Sequence, residues 1–221
     1  MQKKLAFLIP VLVIALWSCT KTSTTAPVNP GSSSSIWPLK AGNSFIYRDT
    51  VFNADGSIAE VYTDSAYVNT QTTSRSGVTF YGFTDSLGWF GTGGFLAIDP
   101  ANTAIYGLDS ANEVSSPYLV FAIAPADGYL LASNQDFSNP NCIGFDASYG
   151  FTSTYNVAGY SCYKNIEYIR DCNGNITYTT VTYVSPGAGI VRVEEYSVVP
   201  GSTSNALYLD YSQTLQSLHL K

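Results

Sequence analysis

Hydrophobic and polar residues alternate along most of the chain from residue 36 onward, a pattern typical of β-strands. The run SFIYRDTVF at 44–52 is followed by Asn-Ala-Asp-Gly at 53–56 and by SIAEVYTDSAYV at 57–68. An Asp-Gly pair between two β-rich runs predicts a hairpin. Further strands are predicted at 77–84, 93–98, 103–108, 118–123, 128–133, 143–149, 151–157, 160–170, 175–184, 189–198 and 206–211.

Helical periodicity is weak throughout the sequence. No stretch of twelve residues keeps a 3.6-residue apolar period, so any helix is short. The 17 Tyr, 11 Phe and 18 Gly fit strands and turns. The sequence therefore predicts an all-β domain.

The Asn173-Gly174 pair predicts a second hairpin with a defined register. A two-residue turn at this pair places Tyr168 opposite Thr179 and Ile166 opposite Val181. One face of the hairpin then carries Cys162, Ile166, Tyr168, Val181 and Tyr183, and we predict that this face points to the core. The opposite face carries Asn165, Glu167, Thr180 and Thr182, together with Tyr163, Ile169, Tyr178 and Val184.

Three cysteines, Cys142, Cys162 and Cys172, lie in the predicted domain. Cys162 and Cys172 would lie about 30 Å apart along an extended strand, whereas a disulfide needs Cα atoms within about 7 Å. Cys142 therefore has two candidate partners, Cys162 and Cys172, and the alternative is three reduced thiols with Cys162 buried.

The N-terminus has the features of a secretory signal peptide. Lys3 and Lys4 precede an apolar run from 5 to 17 that is too short to span a bilayer as a helix. The following Leu-Trp-Ser-Cys at 16–19 resembles the lipobox of bacterial lipoproteins. That resemblance implies cleavage after Ser18 and acylation of Cys19, which would then bind membrane lipid.

Composition divides the chain into three parts. Residues 1–18 are the predicted signal peptide, and 19–35 are the lipid anchor and a Ser/Thr/Pro tether without large apolar side chains. Residues 36–221 form the single predicted β-rich domain. A tether of this length spans on average about 20 Å.

The charge pattern and the shortage of catalytic side chains exclude several function classes. The net charge is −6 and the basic residues are scattered, which argues against nucleic-acid binding. His219 is the only histidine and lies two residues before the last residue, so a catalytic triad has no suitable base. The cysteines lack zinc spacing, and the DCNGNI segment at 171–176 fits a hairpin tip better than a calcium loop. We therefore predict no enzyme activity, no metal site and no cofactor.

An aromatic loop is the one candidate ligand site that the sequence offers. Trp89 and Phe90 lie among glycines in the segment GWFGTGG at 88–94. Exposed aromatic rings of this kind stack on sugars or contact apolar ligands. The alternative is that Trp89 and Phe90 cover one end of the core.

Three segments resemble those of a broad group of Bacteroidota lipoproteins. They are IWPLKAGNSFIY at 36–47, AGYSCYKNIEY at 158–168 and YVSPGAGIVRVEEY at 183–196. The resemblance implies a single antiparallel, strongly curved sheet, a half-barrel or open barrel similar to the lipoprotein-carrier proteins of the periplasm. It also implies attachment to the outer membrane, and the absence of acidic residues between Cys19 and Asp49 favours the periplasmic face over the cell surface.

Two functions remain in keeping with these features. The first is a non-catalytic envelope module that binds an apolar ligand or a glycan. The second is a structural lipoprotein that associates with another envelope protein. A hydrolase that works with carboxylates and hydroxyls alone is a less favoured third hypothesis.

Overall fold

The computed structural model describes residues 35–85, 92–112, 116–134, 145–171, 173–202 and 206–221. Within these residues the regular elements are strands, and no helix is long and apolar enough to cross a bilayer. The strands are β1 (Ser44–Phe52), β2 (Ile58–Arg75), β3 (Val78–Asp85), β4 (Thr92–Ile98), β5 (Ala104–Leu108), β6 (Tyr118–Ala122), β7 (Tyr129–Asn134), β8 (Phe145–Val157), β9 (Tyr160–Arg170), β10 (Ile176–Ser185), β11 (Gly189–Val198) and β12 (Leu207–His219).

All twelve strands belong to one antiparallel sheet. Its order is β6-β5-β4-β3-β2-β1-β12-β11-β10-β9-β8-β7, so β6 and β7 are the two edges. Over the described residues the sheet curls nearly into a barrel that stays open at the seam between β6 and β7. The predicted all-β, single-sheet, open-barrel architecture is confirmed.

The strand limits follow the sequence pattern closely in the second half of the chain. The hairpin of β9 and β10 has the predicted pairs, with Tyr168 opposite Thr179 and Ile166 opposite Val181. The turn is longer than the predicted two residues, because the Asp171 N–H donates to the Asn175 carbonyl oxygen and the register shifts between Ile176 and Tyr178. The predicted strands at 143–149 and 151–157 are instead one strand, β8, whose pairing with β9 is irregular after Phe151. Strands β2 and β12 continue to residues 75 and 219, beyond their predicted ends.

The main core lies at one end of the curled sheet, where the segment before β1 packs inside it. Trp37 is 1% exposed, and its ring makes edge contacts with Phe45 at 5.9 Å and Phe83 at 5.2 Å between centroids. The turn that leads into β11 has positive φ angles at Gly187 and Gly189, as a tight turn requires. A Cβ atom at Gly189 would overlap the Trp37 indole, so the ring lies directly on this turn.

Candidate functional site: a polar cleft at the seam

Edge strand β6 approaches the inner face of the sheet instead of pairing with β7. In the described residues no ladder joins β6 to β7. Asn165 of β9 is 5% exposed, and its amide hydrogen-bonds both main-chain groups of Ala122 at the end of β6. With the amide atoms assigned by their partners, Nδ2 donates to the Ala122 carbonyl oxygen and Oδ1 accepts from the Ala122 N–H, each at 3.0 Å. One side chain thus replaces the pair of hydrogen bonds that a neighbouring strand would make.

A missing side chain on β8 allows this close approach. A Cβ atom at Gly150 would lie 2.6 Å from the Cβ of Ala124 and 2.9 Å from Cδ1 of Leu131. Any larger residue at 150 would therefore push the chain after β6 away from the sheet. Gly150 and Asn165 are directly opposite each other in the β8–β9 pair. Gly150 leaves room for the chain after β6, and Asn165 hydrogen-bonds the end of β6.

The space between β6 and the sheet is a cleft of about 450 Å³. We call it the seam cleft, and its lining residues are Tyr118, Leu119, Val120, Ala132, Ser148, Asn165, Glu167, Thr180, Thr182 and Glu195. Its volume lies within the range of small-molecule sites. The lining is rich in hydroxyl, amide and carboxylate groups, and the described residues that form it include no Lys, Arg or His.

Strand register places the polar lining residues in one line. Directly opposite residues share a face of the sheet, and the pairs run from Ser148 to Glu167, to Thr180 and to Glu195. We call this line the cleft row. Glu167 and Glu195 are two strands apart, so their Cα atoms are separated by about 10 Å.

A second inner row contains a buried carboxylate. It runs from Asn165 through Thr182, Val193 and Gln213 to Asp49. Asp49 is fully buried, and the Tyr211 hydroxyl donates to its Oδ1. Its Oδ2 is buried without a hydrogen-bond partner in the described part of the chain.

Burial raises the pKa of Asp49 above its usual value, and the nearby charge of Asp64 raises it further. Hydrogen bonds from Tyr211 and Gln213 act in the opposite direction but do not outweigh burial. Burial also raises the pKa of the Tyr211 phenol. Tyr211 pairs with Glu195 in the cleft row, so the buried acid adjoins the seam cleft through this tyrosine.

Sequence reasoning placed the polar face of the β9–β10 hairpin away from the core, and this prediction holds only in part. Cys162 and Val181 of the predicted core face are buried, but residues of the opposite face are buried as well. Asn165 and Thr182 are 5% and 6% exposed, and Val184 on the same face is fully buried in the main core. Ile166, Tyr168 and Tyr183 of the predicted core face are only half-buried. Asn165 and Thr182 are buried because β6, which is distant in sequence, covers the concave face of the sheet. Position 49 offered a usable signal, because an aspartate that continues the alternation of Phe45 and Tyr47 falls on the inner face of its strand.

Most of the predicted site residues lie outside the described residues, namely Cys19, Trp89, Phe90, Cys142 and Cys172. Their assignments stay predictions. Cys162 is described: its thiol is free and fully buried, and burial raises its pKa to about 12.

Two further predicted features can be located. Asp171 accepts hydrogen bonds from the N–H groups of Asn173 and Asn175 at 2.8 and 2.9 Å, which confirms the hairpin tip. His219 is exposed at the last position of β12. In the described ranges no three His, Cys, Asp or Glu side chains are arranged to bind a metal ion.

No protein-family model matches the chain, and no curated protein matches it. Among solved structures, an inferred exported protein with a YmcC-like fold from Bacteroides fragilis aligns at a TM-score of 0.42 and 16% identity, over 85% of this chain and 100% of its own. An inferred lipoprotein from Parabacteroides distasonis aligns at a TM-score of 0.42 and 15% identity, over 84% of this chain and 99% of its own.

Proposed function

We propose that this chain is a lipid-anchored protein of the bacterial envelope that binds a glycan in the seam cleft and does not react with it. The observation that carries the proposal is the cleft row, which presents Ser148, Glu167, Thr180 and Glu195 on one concave surface. Hydroxyls and carboxylates hydrogen-bond sugar hydroxyls, and the Tyr118 ring at the cleft edge offers an apolar surface for a sugar ring.

The lining favours a glycan over an apolar ligand. Burying a hydroxyl or carboxylate against hydrocarbon leaves it without a partner, which costs about 1–3 kcal/mol per group. A ligand with many hydroxyls avoids this cost because it replaces the hydrogen bonds to water. Leu119, Val120 and Ala132 occupy only part of the lining.

The anchor belongs to the same proposal. Acylation of Cys19 at the resembled lipobox would attach the chain to the outer membrane, facing the periplasm. Metabolic labelling with a fatty acid should tag the protein, and Cys19→Ala should abolish both the label and membrane retention. Protease added to intact cells should leave the protein whole. Label that persists in Cys19→Ala would contradict the anchor, and cleavage in intact cells would contradict the orientation.

Glycan binding is tested by thermal shift of the acylated protein in detergent against neutral oligosaccharides. A ligand at a hundred times its Kd adds about 2.7 kcal/mol, which raises the Tm by about 5–10 °C for a domain of this size. Thr180→Val removes one hydroxyl from the cleft row and should weaken binding about fivefold, as expected for the loss of one net hydrogen bond. Thr179→Val is the matched control, since Thr179 lies on the opposite face of the same strand. Equal affinity of both variants would exclude the seam cleft.

A hydrolase is the second candidate, because one observation favours it. Glu167 and Glu195 both line the seam cleft, with Thr180 between them. Inverting glycosidases hold two carboxyl groups about 6.5–9.5 Å apart, and side chains on Cα atoms about 10 Å apart can reach that separation. Release of reducing ends from a bound oligosaccharide, abolished by Glu195→Gln with binding retained, would establish catalysis in place of binding alone.

A structural role in the envelope is the remaining alternative. It predicts no stabilisation by any oligosaccharide, together with recovery of one envelope protein in fixed ratio on pull-down. Trp89→Ala tests the alternative ligand site. An increase in Tm with glycan that persists in Thr180→Val but is lost in Trp89→Ala would indicate that the ligand binds at the aromatic loop.

A further inference from the structure

The described chain begins at one end of the curled sheet, which we call the proximal end. The carbonyl oxygen of Ser35 accepts a hydrogen bond from Gly187 in the β10–β11 turn at 2.7 Å, and the Ile36 N–H donates to Asn102 Oδ1 at 2.7 Å. The last residue lies there too, because the Lys221 N–H donates to Asn43 Oδ1 at 2.8 Å. The tether from Cys19 therefore joins the domain at the proximal end.

Basic side chains gather at or near this end. Lys40 and Lys221 are exposed beside each other, with Lys40 Nζ donating to the Lys221 main-chain oxygen at 2.8 Å. On the outer face, a cross-strand row runs from Lys164 through Tyr183 to Arg192. Tyr183 is three residues before the turn at Pro186, so this row lies within about 10 Å of the proximal end.

Acidic side chains gather at the opposite, distal end. Adjacent strands are antiparallel, so the β1–β2 turn with Asp55, the β9–β10 turn with Asp171 and the start of β12 with Asp210 lie together there. Arg170 is the basic exception. Strand β10 has ten residues, which separates the two ends by about 30 Å.

Two carboxylates away from the distal end are engaged by the main chain. Asp99 Oδ1 accepts from the N–H groups of Thr103 and Ala104, both at 2.6 Å. Asp127 Oδ1 accepts from the N–H groups of Thr152 and Ser153 at 2.6 and 2.9 Å. Both carboxylates thus cap local turns while they stay ionised. The Arg192 guanidinium forms an ion pair with Glu194 Oε1 at 2.8 Å, which leaves Lys40, Lys164 and Lys221 as the cations available at or near the proximal end.

We infer that the proximal end docks on anionic phospholipid headgroups, so that the domain stands on the membrane with its distal end turned away. This inference rests on the lipid anchor of the proposed function. The sequence predicts a tether at residues 20–35 with an average span of about 20 Å, which would keep the basic end within reach of the surface. An anionic membrane attracts basic groups only within a Debye length of about 8–10 Å, so the acidic end about 30 Å away is not repelled.

Residue-level labelling of the acylated protein in vesicles tests the inference. Vesicles of phosphatidylcholine alone are compared with vesicles that also contain phosphatidylglycerol. Amine reagents should modify Lys40, Lys164 and Lys221 more slowly on the anionic vesicles, and 0.5 M salt should remove the difference. Carbodiimide labelling of Asp55 and Asp171 at the distal end should be the same on both.

A charge variant with a matched control sharpens the test. Each basic side chain near an anionic surface favours docking about fivefold, so Lys164→Gln with Lys221→Gln should lower the docked-to-undocked ratio about 25-fold, read out at Lys40. Arg170→Gln at the distal end should leave the ratio unchanged. Unchanged distal labelling in the double variant shows that the sheet is intact.

Equal lysine labelling on the two vesicle types, or protection of the distal carboxylates, would overturn the inference and leave the anchor standing. An unchanged Lys40 ratio in the double variant would also overturn it. Absence of the protein from both vesicle fractions would overturn the anchor and this inference together.

Discussion

Substitution of Gly189 tests how the core is closed at the proximal end. Its φ is +78°, and a Cβ atom there would overlap the Trp37 indole. Gly189→Ala therefore adds about 1–2 kcal/mol of backbone strain and about 1–3 kcal/mol of overpacking against a buried ring. We expect the free energy of unfolding to fall by about 2–5 kcal/mol.

Gly56→Ala is the matched control for this substitution. Gly56 has a φ of +82°, and a Cβ atom there would have no other atom within 4 Å, so this position carries the strain without the overlap. Replacing glycine by alanine also stabilises the protein by restricting the unfolded chain, and this contribution to the free energy of unfolding is the same in both variants, so it cancels in their difference. The difference between them, about 2 kcal/mol, isolates the contact with Trp37.

Thermal unfolding of the two variants measures that difference, which should appear as about 4–8 °C in Tm. Repeating both substitutions in a Trp37→Leu background should make their costs equal, because the ring that causes the overlap is gone. Equal costs of Gly189→Ala and Gly56→Ala in the original background would refute the packing of Trp37 on this turn.

Three further predictions concern buried groups. Asn165→Ala removes the hydrogen-bond partner of the Ala122 N–H and of its carbonyl oxygen. Hydrogen exchange at the Ala122 amide should therefore accelerate by at least tenfold. An unchanged exchange rate would show that the Asn165 amide does not hold the end of β6. Because its pKa is raised, Asp49 binds its proton more tightly in the folded state than in the unfolded state. Ionisation of Asp49 therefore lowers the free energy of unfolding as pH rises above about 3.8, and this loss is complete above the folded pKa. Asp49→Asn should remove that pH dependence in denaturant titrations, and identical pH profiles would contradict burial of the charge. The Cys162 thiol, buried and with a pKa of about 12, should resist iodoacetamide at pH 8 until the protein unfolds; modification of the native protein would contradict its position in the core.

Local sequence signals predicted most strands because strand formation here follows alternation and turn chemistry. The bounds of β1, β9 and β11 agree with the predicted ranges. The predicted register of β9 and β10 holds from Tyr168 and Thr179 onward, although a shift between Ile176 and Tyr178 separates it from the turn. The predicted strands at 143–149 and 151–157 leave Gly150 between them, whereas Gly150 lies inside β8. Its role is to admit Ala124 from the far side of the seam, which no local pattern reveals.

The seam cleft was missed because a distant strand forms one of its walls. Asn165, Glu167 and Thr180 have the composition of a solvent face, and the hairpin alone would leave them exposed. They line a cleft only because β6, more than forty residues earlier in the chain, lies over them. Sequence alternation reports which residues share a face, but it does not report which face a curled sheet encloses.

The strand order also determines how the chain can fold. Strands β1 to β6 pair consecutively, and so do β7 to β12, so each half is a six-stranded meander built from neighbouring hairpins. The pairing of β1 with β12 is the ladder that joins the two halves, and it brings Phe45 opposite Leu218. Hairpins form from local contacts, whereas this ladder must close almost the whole domain, and such long-range closure is slow. The two meanders should therefore form first as separate half-sheets, and the merging of their free edges should set the folding rate of the domain.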